Sequence, residues 1–292
     1  MFGGEKQYEY HQCGSCGALY QVPMPTSEEI AGFYPDHYSI YDDNIRLKPR
    51  GAMERALLNV SYGYHHLQAP MPLKLLARLL TPFKDRNSLS FEHGGRMLDI
   101  GCGNGRFLLR MQQLGWQVQG VEFNQTAVNI CRRNKLDVFH GELEDAGLEA
   151  QSFDLISARH VIEHVQNPDS FIADIARLLK SGGRLHLRTP SSEALSRSIF
   201  GRNWFPNEVP RHLILFSKKN LNMLAARHGL EPVIVRTNVR TNWVLNSFDY
   251  KTGNTGRPYR KSKLYRLLVK VYVPFAGLSG RGEEVFAVYR KP

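Results

Sequence analysis

The chain has 292 residues, of which 42% are hydrophobic, and this length is sufficient for one elaborated α/β domain with a buried core. Its formal net charge of +11 predicts an anionic partner, although charge alone does not choose between nucleic acid, an acidic membrane surface and a phosphorylated substrate. Four cysteines are too few for a disulfide framework in a chain of this length, so we expect reduced thiols. No apolar run reaches about 18 residues without a charge, which argues against a membrane span. The stretch "MFGGEKQYEY" shows no signal pattern, so we expect a cytoplasmic location.

The first 50 residues show no sustained period and are predicted to form an irregular module. They contain "CGSCG", from Cys13 to Cys16, which is half of a zinc-ribbon signature. A structural zinc ion needs four ligands, and no second Cys-x-x-Cys follows. We therefore predict no bound zinc, although His11 and His37 could complete a ligand set.

Residues 51–95 are predicted to form a helical segment followed by a linker. Leucines recur at helical spacing on both sides of Pro70 and Pro72, which should separate two helices. The polar stretch from Thr81 to Gly95 ends in two glycines and is typical of a linker.

Strand-like and helix-like segments alternate through residues 96–237, and a final strand follows at 284–292. In chain order they are "RMLDI", "GRFLLRMQQLG", "WQVQGVEF", "QTAVNICRRN", "LDVFHG", "SFDLISA", "DSFIADIARLLKSGG", "RLHLRTP", "KNLNMLAARHGL", "EPVIVRT" and "EEVFAVYRK". This alternation predicts βαβ units and an α/β fold, with helices on both faces of a parallel sheet.

A glycine-rich turn, "LDIGCGNGRF", follows the first of these strands. Its glycine spacing differs from the G-x-G-x-x-G fingerprint, whose helix N-terminus faces a pyrophosphate, so NAD is not expected. Asp99 at the strand end favours a ligand with positive charge. Glu122 comes about 20 residues later, where a carboxylate can accept both hydroxyls of a ribose.

From Arg96 to Thr189 the chain resembles the class I S-adenosylmethionine-dependent methyltransferases. The resemblance is carried by "LDIGCGNGRF", "VEFN", "GELED", "FDLISARHVIEHV" and "LLKSGGRLHLRTP", in the family's order. It implies a doubly wound, mostly parallel seven-stranded Rossmann-like sheet with helical and loop additions, in which "EEVFAVYRK" is an antiparallel strand beside "RLHLRTP". The cofactor that it implies is S-adenosyl-L-methionine.

The cofactor-binding residues that the resemblance implies are Asp99, Gly101, Gly103, Gly105, Glu122, Phe123, Glu142, Leu143 and His160. The glycine loop would lie under the methionine part, Asp99 would help to hold its amino group, and Glu122 would bind the ribose. Glu142 and the backbone of Leu143 would reach the adenine. The structural alternative is that Asp99 and Glu122 cap loops and Glu142 is a solvated turn acid. Tyr34 to Tyr41 is interpreted as a lid or packing segment over the cofactor.

Methyl transfer from a sulfonium is an in-line displacement, so the protein must position the acceptor and remove the proton of a hydroxyl. His212 is the preferred general base. It lies in "NWFPNEVPRHLILFS", which resembles a segment of bacterial small-molecule and sugar-modifying methyltransferases, and Trp204 and Phe205 could form an apolar wall there. Alternatively, His212 fixes the loop while Leu213 and Phe216 enter the core.

His164 is the second catalytic candidate, in "HVIEHV". This stretch resembles the E-x-x-E-H motif of quinone-biosynthesis O-methyltransferases, whose two acids and histidine are associated with a divalent metal. His160 stands where the first acid would be, and it could share a helix face with His164. Since the ligand set is incomplete, we predict no metal, with Glu163 and His164 hydrogen-bonding the loop and helix start.

A basic apolar insertion is predicted for residues 238–283. In "RPYRKSKLYRLLVKVYVPFAGLSGRG", leucines share one helical face and cations another, which is typical of a helix on an anionic membrane surface. Alternatively, the leucines pack on the domain and the cations are solvated. The stretch "LKLLARLLTPFK" has the same character.

The leading hypothesis is O-methylation of a small, sugar-like or lipid-linked metabolite. Methylation of RNA or DNA is an alternative, but the chain has "SARHVIEHV" where amino-methylating nucleic-acid enzymes carry a Pro-Pro motif, so we do not expect a nucleic-acid partner. A further alternative is a catalytically inactive, membrane-peripheral scaffold that keeps the fold.

Overall fold

A computed structural model describes residues 7–33, 45–80, 95–253 and 262–292. Its strands are β1 (Glu9–Gln12), β2 (Leu19–Val22), β3 (Arg96–Ile100), β4 (Gln117–Glu122), β5 (Val138–His140), β6 (Phe153–Arg159), β7 (Leu179–Pro190), β8 (Ile214–Leu215), β9 (Glu231–Asn238) and β10 (Glu284–Arg290). Its helices are α1 (Ser27–Gly32), α2 (Ala52–Ser61), α3 (Met71–Leu80), α4 (Arg106–Gln112), α5 (Gln125–Arg133), α6 (Pro168–Leu178), α7 (Leu195–Phe200), α8 (Lys218–Arg227), α9 (Thr241–Thr252) and α10 (Lys263–Leu278). The proposed lid, Tyr34 to Tyr41, and most of the predicted linker lie outside the described residues.

Seven strands form the main sheet, in the order β5-β4-β3-β6-β7-β10-β9. β3 pairs in parallel with β4, and β4 with β5. β10 runs antiparallel to both of its neighbours, β7 and β9. The predicted α/β class and the antiparallel insertion of the last strand are therefore confirmed.

The chain divides into two compact units. The glycine-loop unit comprises His37–Ala146 and Ser152–Leu155, and the histidine unit comprises Met1–Asp36, Gly147–Gln151 and Ile156–Pro292. This division differs from the predicted boundaries at residues 50, 95 and 237, because elements distant in sequence pair within one unit.

Two apolar clusters fill the interior of the glycine-loop unit. The larger one consists of Leu58, Tyr64, Met97, Met111, Leu114, Trp116 and Leu155, and inside it the indole N–H of Trp116 donates to the Tyr64 hydroxyl at 3.1 Å. The second cluster packs α4 and α5 against β5 through Leu108, Val128, Cys131 and Val138. α5 begins at Gln125 because the Asn124 side chain accepts a hydrogen bond from the Ala127 amide. These contacts fix the helices that flank the glycine loop.

The histidine unit contains a second, three-stranded sheet of order β1-β2-β8. Leu19 and Tyr20 of β2 pair antiparallel with Leu215 and Ile214 of β8. Part of the first 50 residues is therefore a β-hairpin, where the sequence predicted an irregular module. Each of its strands has only four residues, which is too short for a period to be visible.

The boundary between α6 and β7 also differs from the sequence prediction, which continued the helix to Gly183. The helix ends at Leu178, and the chain then pairs with the C-terminal segment, where the Gly182 amide donates to Lys291 and the Lys291 amide donates to Gly183. The Lys291 ammonium donates to the carbonyls of Ala176 and Leu179. A contact that is remote in sequence thus decides where the helix stops.

Candidate functional site

The glycine loop follows β3 in a backbone conformation that glycine adopts readily, with φ of 64° at Gly101, 56° at Gly103 and 79° at Gly105. Main-chain hydrogen bonds attach it to β4, since the amides of Gly101 and Cys102 donate to the Val121 carbonyl. The loop geometry is therefore fixed by the sheet edge on which it lies.

Glu122 is only 3% exposed and holds this loop from the end of β4. One carboxylate oxygen accepts the Gly103 amide at 2.8 Å, and the other accepts the Asn124 amide at 2.9 Å. Burial raises the pKa of Glu122, the buried carboxylate of Asp99 raises it further, and the amide hydrogen bonds lower it. Glu122 thus has the loop-capping role considered as an alternative, and each of its oxygens can accept a second hydrogen bond from a hydroxyl.

Gly105 lies at the N-terminus of α4, where a side chain does not fit. A Cβ at this position would be 2.4 Å from Leu136 Cδ1 and 2.8 Å from Cys131 Sγ, in a backbone with φ of 79°. We expect Gly105→Ala to lower the free energy of unfolding by about 2–4 kcal/mol, because backbone strain and overpacking add. Urea denaturation measures this effect.

The matched control for this prediction is Gly147→Ala. Gly147 has φ of 58°, and a Cβ added there would meet no atom within 4 Å, so only the strain of about 1 kcal/mol should appear. Equal losses in the two variants would show that the space around Gly105 is unimportant.

The other predicted cofactor residues of this unit lie beside Glu122, at the carboxyl ends of β4 and β5. Phe123 is 42% exposed, and its carbonyl accepts a hydrogen bond from His140 Nε2 at 2.9 Å. Glu142 is exposed and Leu143 is buried. Since β3, β4 and β5 are parallel, their carboxyl ends share one edge with the glycine loop.

Cys131 is a contact of the glycine loop that the sequence pattern did not reveal. Its thiol donates to the Gly103 carbonyl at 3.2 Å. The N-cap Asn124 is a second missed residue, and the Asn before an amphipathic segment could have revealed it. All four cysteines are free, as the sequence predicts.

His212, which is buried, and His164, which is half-buried, form a pair in the histidine unit, with ring centroids 4.6 Å apart. His212 Nδ1–H donates to the Pro206 carbonyl at 2.6 Å, and His164 Nδ1–H donates to the Arg211 carbonyl at 2.9 Å. Burial lowers the pKa of His212, and burial together with His212 lowers the pKa of His164 to about 4. Both imidazoles are therefore neutral at pH 7, with Nε2 as the nitrogen that can take a proton.

His160 does not share a helix face with His164, contrary to the sequence expectation. Ile162–His164 forms a single 3-10 turn, and His160 has φ of 58°. The two His160 nitrogens face carboxylate oxygens, Glu163 Oε1 at 3.3 Å and Glu284 Oε1 at 3.1 Å. His160 is a member of an ion-pair network in the histidine unit, and its predicted part in cofactor binding stays a prediction.

This network shifts the pKa values of its members apart. Burial lowers the pKa of His160, but hydrogen bonds to Glu163 and Glu284 outweigh burial and raise it to about 9. Burial raises the pKa of both carboxyls, and the hydrogen bond to His160 outweighs it, so that each falls to about 2. Arg240 also contributes to the low value at Glu284.

The pKa shifts predict how stability depends on pH. The raised pKa of His160 stabilises the fold fully below its ordinary pKa near 6.5, and this contribution is lost as pH rises to about 9. The lowered pKa values of Glu163 and Glu284 stabilise fully above about 4.5, and this contribution is lost as pH falls towards 2. The lowered pKa values of His164 and His212 act in the same direction as the carboxylates, because stability is lost as pH falls below about 6.5 and the unfolded chain takes up protons first. Urea midpoints measured from pH 2 to 10 should therefore pass through a maximum near pH 6.5.

The variant His160→Asn removes the titrating imidazole from this network and leaves other titrating groups in place. Asn is chosen because it tolerates the left-handed backbone that His160 adopts. We expect the decline of stability between pH 6.5 and 9 to flatten in this variant. The control variant is His65→Asn, at an exposed position, and it should show the same alkaline decline of stability as the parent protein. An unchanged alkaline decline in His160→Asn would contradict the assignment.

Glu163, His164 and His212 bring three potential metal ligands within 4.8 Å of one another. Glu163 Oε2 is buried and has no hydrogen-bond partner among the described residues. Two imidazoles and one carboxylate suit a divalent transition metal better than magnesium. The donor set thus fits a cation, with His212 in the place that the sequence suggested for His160. The predicted absence of a metal stays a prediction.

Trp204 belongs to the core of the histidine unit and does not form an exposed apolar wall. It is 1% exposed, and its indole N–H donates to Ser196 Oγ at 2.8 Å. Phe205 is half-buried and contacts the Tyr250 ring. Leu213 and Phe216 are buried, as the alternative interpretation of this segment expects.

Cys13 and Cys16 lie in the turn between β1 and β2, where Cys13 Sγ is 3.2 Å from Ser15 Oγ. Among the described residues, they are not part of a group of three or more metal donors. His37 lies outside those residues, so the prediction about zinc stays a prediction.

α10 exposes an apolar face. The exposed side chains on it are Leu264, Leu267, Leu268, Val271, Phe275 and Leu278, and we call them the α10 stripe. The opposite side packs into the histidine unit through Tyr265, Val269 and Tyr272. The leucines of the stripe thus do not pack on the domain.

α3, in the glycine-loop unit, likewise exposes Met71, Leu75 and Leu79. In the part of the chain that the structure describes, no helix is long and apolar enough to cross a bilayer.

Comparisons with known proteins all identify similarity to methyltransferases. A family model described as "Methyltransferase domain" matches residues 65–235, which is more than half of the chain. The mitochondrial ubiquinone biosynthesis O-methyltransferase of Schizosaccharomyces pombe is 32% identical over 126 residues, covering 40% of this chain and 44% of that protein. Its counterpart in Xanthomonas oryzae pv. oryzae is 35% identical over 129 residues, covering 40% of this chain and 53% of that protein. The chain spans about half the length of these curated relatives.

A solved structure shows the same fold. It is a S-adenosylmethionine-dependent methyltransferase from Archaeoglobus fulgidus, similar with a TM-score of 0.50 at 17% identity over 75% of this chain and 93% of that chain.

Proposed function

The chain belongs to the class I S-adenosylmethionine-dependent methyltransferases, and we propose that it methylates an oxygen of a small, sugar-like or lipid-linked metabolite. The cofactor of this family is S-adenosyl-L-methionine. The similarity to ubiquinone biosynthesis O-methyltransferases supports oxygen as the accepting atom. The observation that carries the proposal is the neutral His164–His212 pair, in which the buried His212 has the chemistry to deprotonate a hydroxyl.

The cofactor is held by the glycine-loop unit in this proposal. Asp99 would bind the amino group of its methionine part, Glu122 the ribose hydroxyls, and Phe123, Glu142 and the Leu143 backbone the adenine. The buried carboxylates support this assignment, because the positive charge of the ligand compensates negative charge that burial makes costly.

His212 acts as the general base. The hydroxyl oxygen of the acceptor forms a bond to the methyl carbon while the carbon–sulfur bond breaks, and the sulfonium becomes a thioether. The proton of the hydroxyl passes to His212 Nε2, because Nδ1 keeps its proton in the hydrogen bond to Pro206. His164 positions His212 through their ring contact and is the second candidate base.

A divalent cation, when bound by Glu163, His164 and His212, would polarise the acceptor oxygen and lower the pKa of its hydroxyl. The metal-independent mechanism needs no such help, since His212 is already a neutral base. We expect turnover to survive dialysis against EDTA. Loss that zinc or manganese restores would instead show that the cation takes part.

The α10 stripe supports contact with a membrane surface. Lys263 and Lys270 border it and are exposed, and the chain has no acidic residue between Asp249 and Glu283. Apolar side chains bordered by cations bind anionic bilayers. We propose that α10 lies on such a surface and gives the enzyme access to a lipid-linked acceptor.

The test of the proposed function uses methyl-labelled cofactor, the full chain and a lysate of the source cells. After incubation, the label is separated into organic-soluble, aqueous small-molecule and nucleic-acid fractions. Label in either of the first two fractions supports the proposal, and the organic fraction identifies a lipid-linked acceptor. Label confined to nucleic acid, or no label although the cofactor binds, would overturn it.

A further inference from the structure

We infer that Cys13 and Cys16 form a reversible dithiol–disulfide pair, in which Cys13 is the attacking thiol. Both cysteines are free, and both lie in the turn between β1 and β2 of the histidine unit. Neither belongs to the glycine loop or to the His164–His212 pair. The chemistry of the two thiols is therefore independent of the proposed methyl transfer.

The turn keeps the two cysteines within reach of each other. The Cys13 amide donates to the Ala18 carbonyl at 2.8 Å, and the Gly17 amide donates to the Cys13 carbonyl at 2.9 Å. The second of these hydrogen bonds closes a single helical turn that contains Cys16. Side chains three residues apart in a helical turn are neighbours. A disulfide can therefore join the pair without a large movement of the backbone.

Polar groups around Cys13 Sγ stabilise its thiolate. The Ser15 hydroxyl is 3.2 Å from this sulfur. A hydrogen bond from the Ser15 side chain, together with hydrogen bonds from the Cys16 and Ser15 amides and from the Cys16 thiol, lowers the pKa of the Cys13 thiol to about 6. Cys13 is thus largely ionised at pH 7, and the thiolate is the form that attacks a disulfide.

Accessibility separates this pair from the other two cysteines of the chain. Cys13 and Cys16 are half-buried, whereas Cys102 is only 6% exposed and Cys131 is fully buried. The hydrogen bond to Cys131 and burial also raise the pKa of Cys102. An oxidant in solution therefore reaches Cys13 and Cys16 first.

A bound metal is the other common use of two cysteines at this spacing. A structural zinc ion takes four ligands. Among the residues that the structure describes, Cys13 and Cys16 belong to no group of three or more potential metal ligands. Two accessible thiols, one of them activated, favour thiol–disulfide exchange over a metal site.

The co-reactant is a low-molecular-weight disulfide, for which glutathione disulfide is the probe. The Cys13 thiolate attacks one of its sulfurs, the S–S bond breaks, and one glutathione thiolate leaves. Cys16 then loses its proton and attacks Cys13 Sγ, which forms the Cys13–Cys16 bond and releases the second glutathione. The two departing thiolates take up the two protons that the cysteines release. Two protein thiols are oxidised, one disulfide is reduced, and excess reduced glutathione reverses the exchange.

Mass spectrometry of the full chain after incubation with glutathione disulfide at pH 6 tests the pair. We expect the parent chain to lose two hydrogens in the peptide that contains Cys13 and Cys16, and to regain them with reduced glutathione. The matched variants are Cys16→Ser and Cys13→Ser. Cys16→Ser should accumulate one glutathione on Cys13, because the second step is missing. Cys13→Ser should react about tenfold more slowly, because the activated thiolate is missing.

The pH dependence of alkylation tests the activation of Cys13 separately. In the Cys16→Ser background, the rate of reaction of Cys13 with iodoacetamide should be half-maximal near pH 6. Adding Ser15→Ala should move this midpoint to higher pH, since the Ser15 hydroxyl lies beside the sulfur. A midpoint that Ser15→Ala leaves in place would contradict the activation.

Three results would overturn the pair. Equal rates for Cys13→Ser and Cys16→Ser would remove Cys13 as the attacking thiol. A parent chain that stays reduced, or that keeps glutathione on Cys13 without forming the disulfide, would show that Cys16 does not complete the exchange. Zinc that accompanies the purified chain and protects both thiols until a chelator removes it would assign them to a metal site.

Discussion

Replacing Glu122 by alanine is expected to raise the dissociation constant of S-adenosylhomocysteine about a hundredfold or more. In our assignment the carboxylate accepts both ribose hydroxyls, and each charge-assisted hydrogen bond contributes about 1.5–3 kcal/mol. The same carboxylate also holds the amides of Gly103 and Asn124. The substitution therefore removes ligand contacts and the support of the loop together. Isothermal titration calorimetry measures the change.

The control for Glu122 is Glu144→Ala, in an exposed turn of the same unit. It should leave affinity for S-adenosylhomocysteine unchanged within about twofold, since an exposed acid contributes little. Urea denaturation of both variants shows whether lost binding comes from unfolding. A folded Glu122→Ala protein that binds within threefold of the parent would contradict the ribose assignment.

His212→Asn is expected to lower the turnover number about 10²–10⁴-fold, the usual contribution of a general base. Asn places an amide donor close to the position of Nδ1, so the hydrogen bond to the Pro206 carbonyl can persist while the accepting Nε2 is lost. Affinity for S-adenosylhomocysteine should stay unchanged, which separates a chemical role from a structural one. Single-turnover methylation and calorimetry supply the two measurements.

The pH profile of turnover gives an independent readout of His212. Because burial lowers its pKa, the parent enzyme should lose activity only as pH falls below about 6.5, the ordinary histidine value. His212→Asn should lose this acidic limb. A change in turnover of threefold or less would assign His212 a structural role. Comparison with His164→Asn identifies which member of the pair takes the proton.

Local sequence signals were sufficient to predict which residues surround the glycine loop. The glycine loop, Asp99 and Glu122 all lie at strand ends or in the turns that follow them, and each is within reach of its neighbours through adjacent parallel strands. The alternation of segments determines that these strands are parallel, and parallel strands bring their carboxyl ends to one edge. A pattern of short-range spacing therefore predicts the residues around the glycine loop.

Residue spacing did not predict which histidines meet in the histidine unit, because contacts between residues distant in sequence determine their arrangement. His160 and His164 are four positions apart, but the left-handed backbone at His160 turns its ring towards Glu284. His164 instead contacts His212, 48 positions away by residue number. No helical period connects such residues, so only the folded chain shows which of them meet.

The sequence by itself determined the family, the α/β fold, the cofactor and the amphipathic character of α10. The tertiary structure decided which side of α10 is covered. Its Tyr265 and Val269 pack inward, whereas Leu264 and Leu267 stay exposed. The periodicity of a sequence shows that a helix has an apolar face, but α10 has two such faces. Which of them is buried depends on the residues of α9 and of the rest of the histidine unit that pack against it. For that physical reason the exposed α10 stripe could be found only in the folded chain.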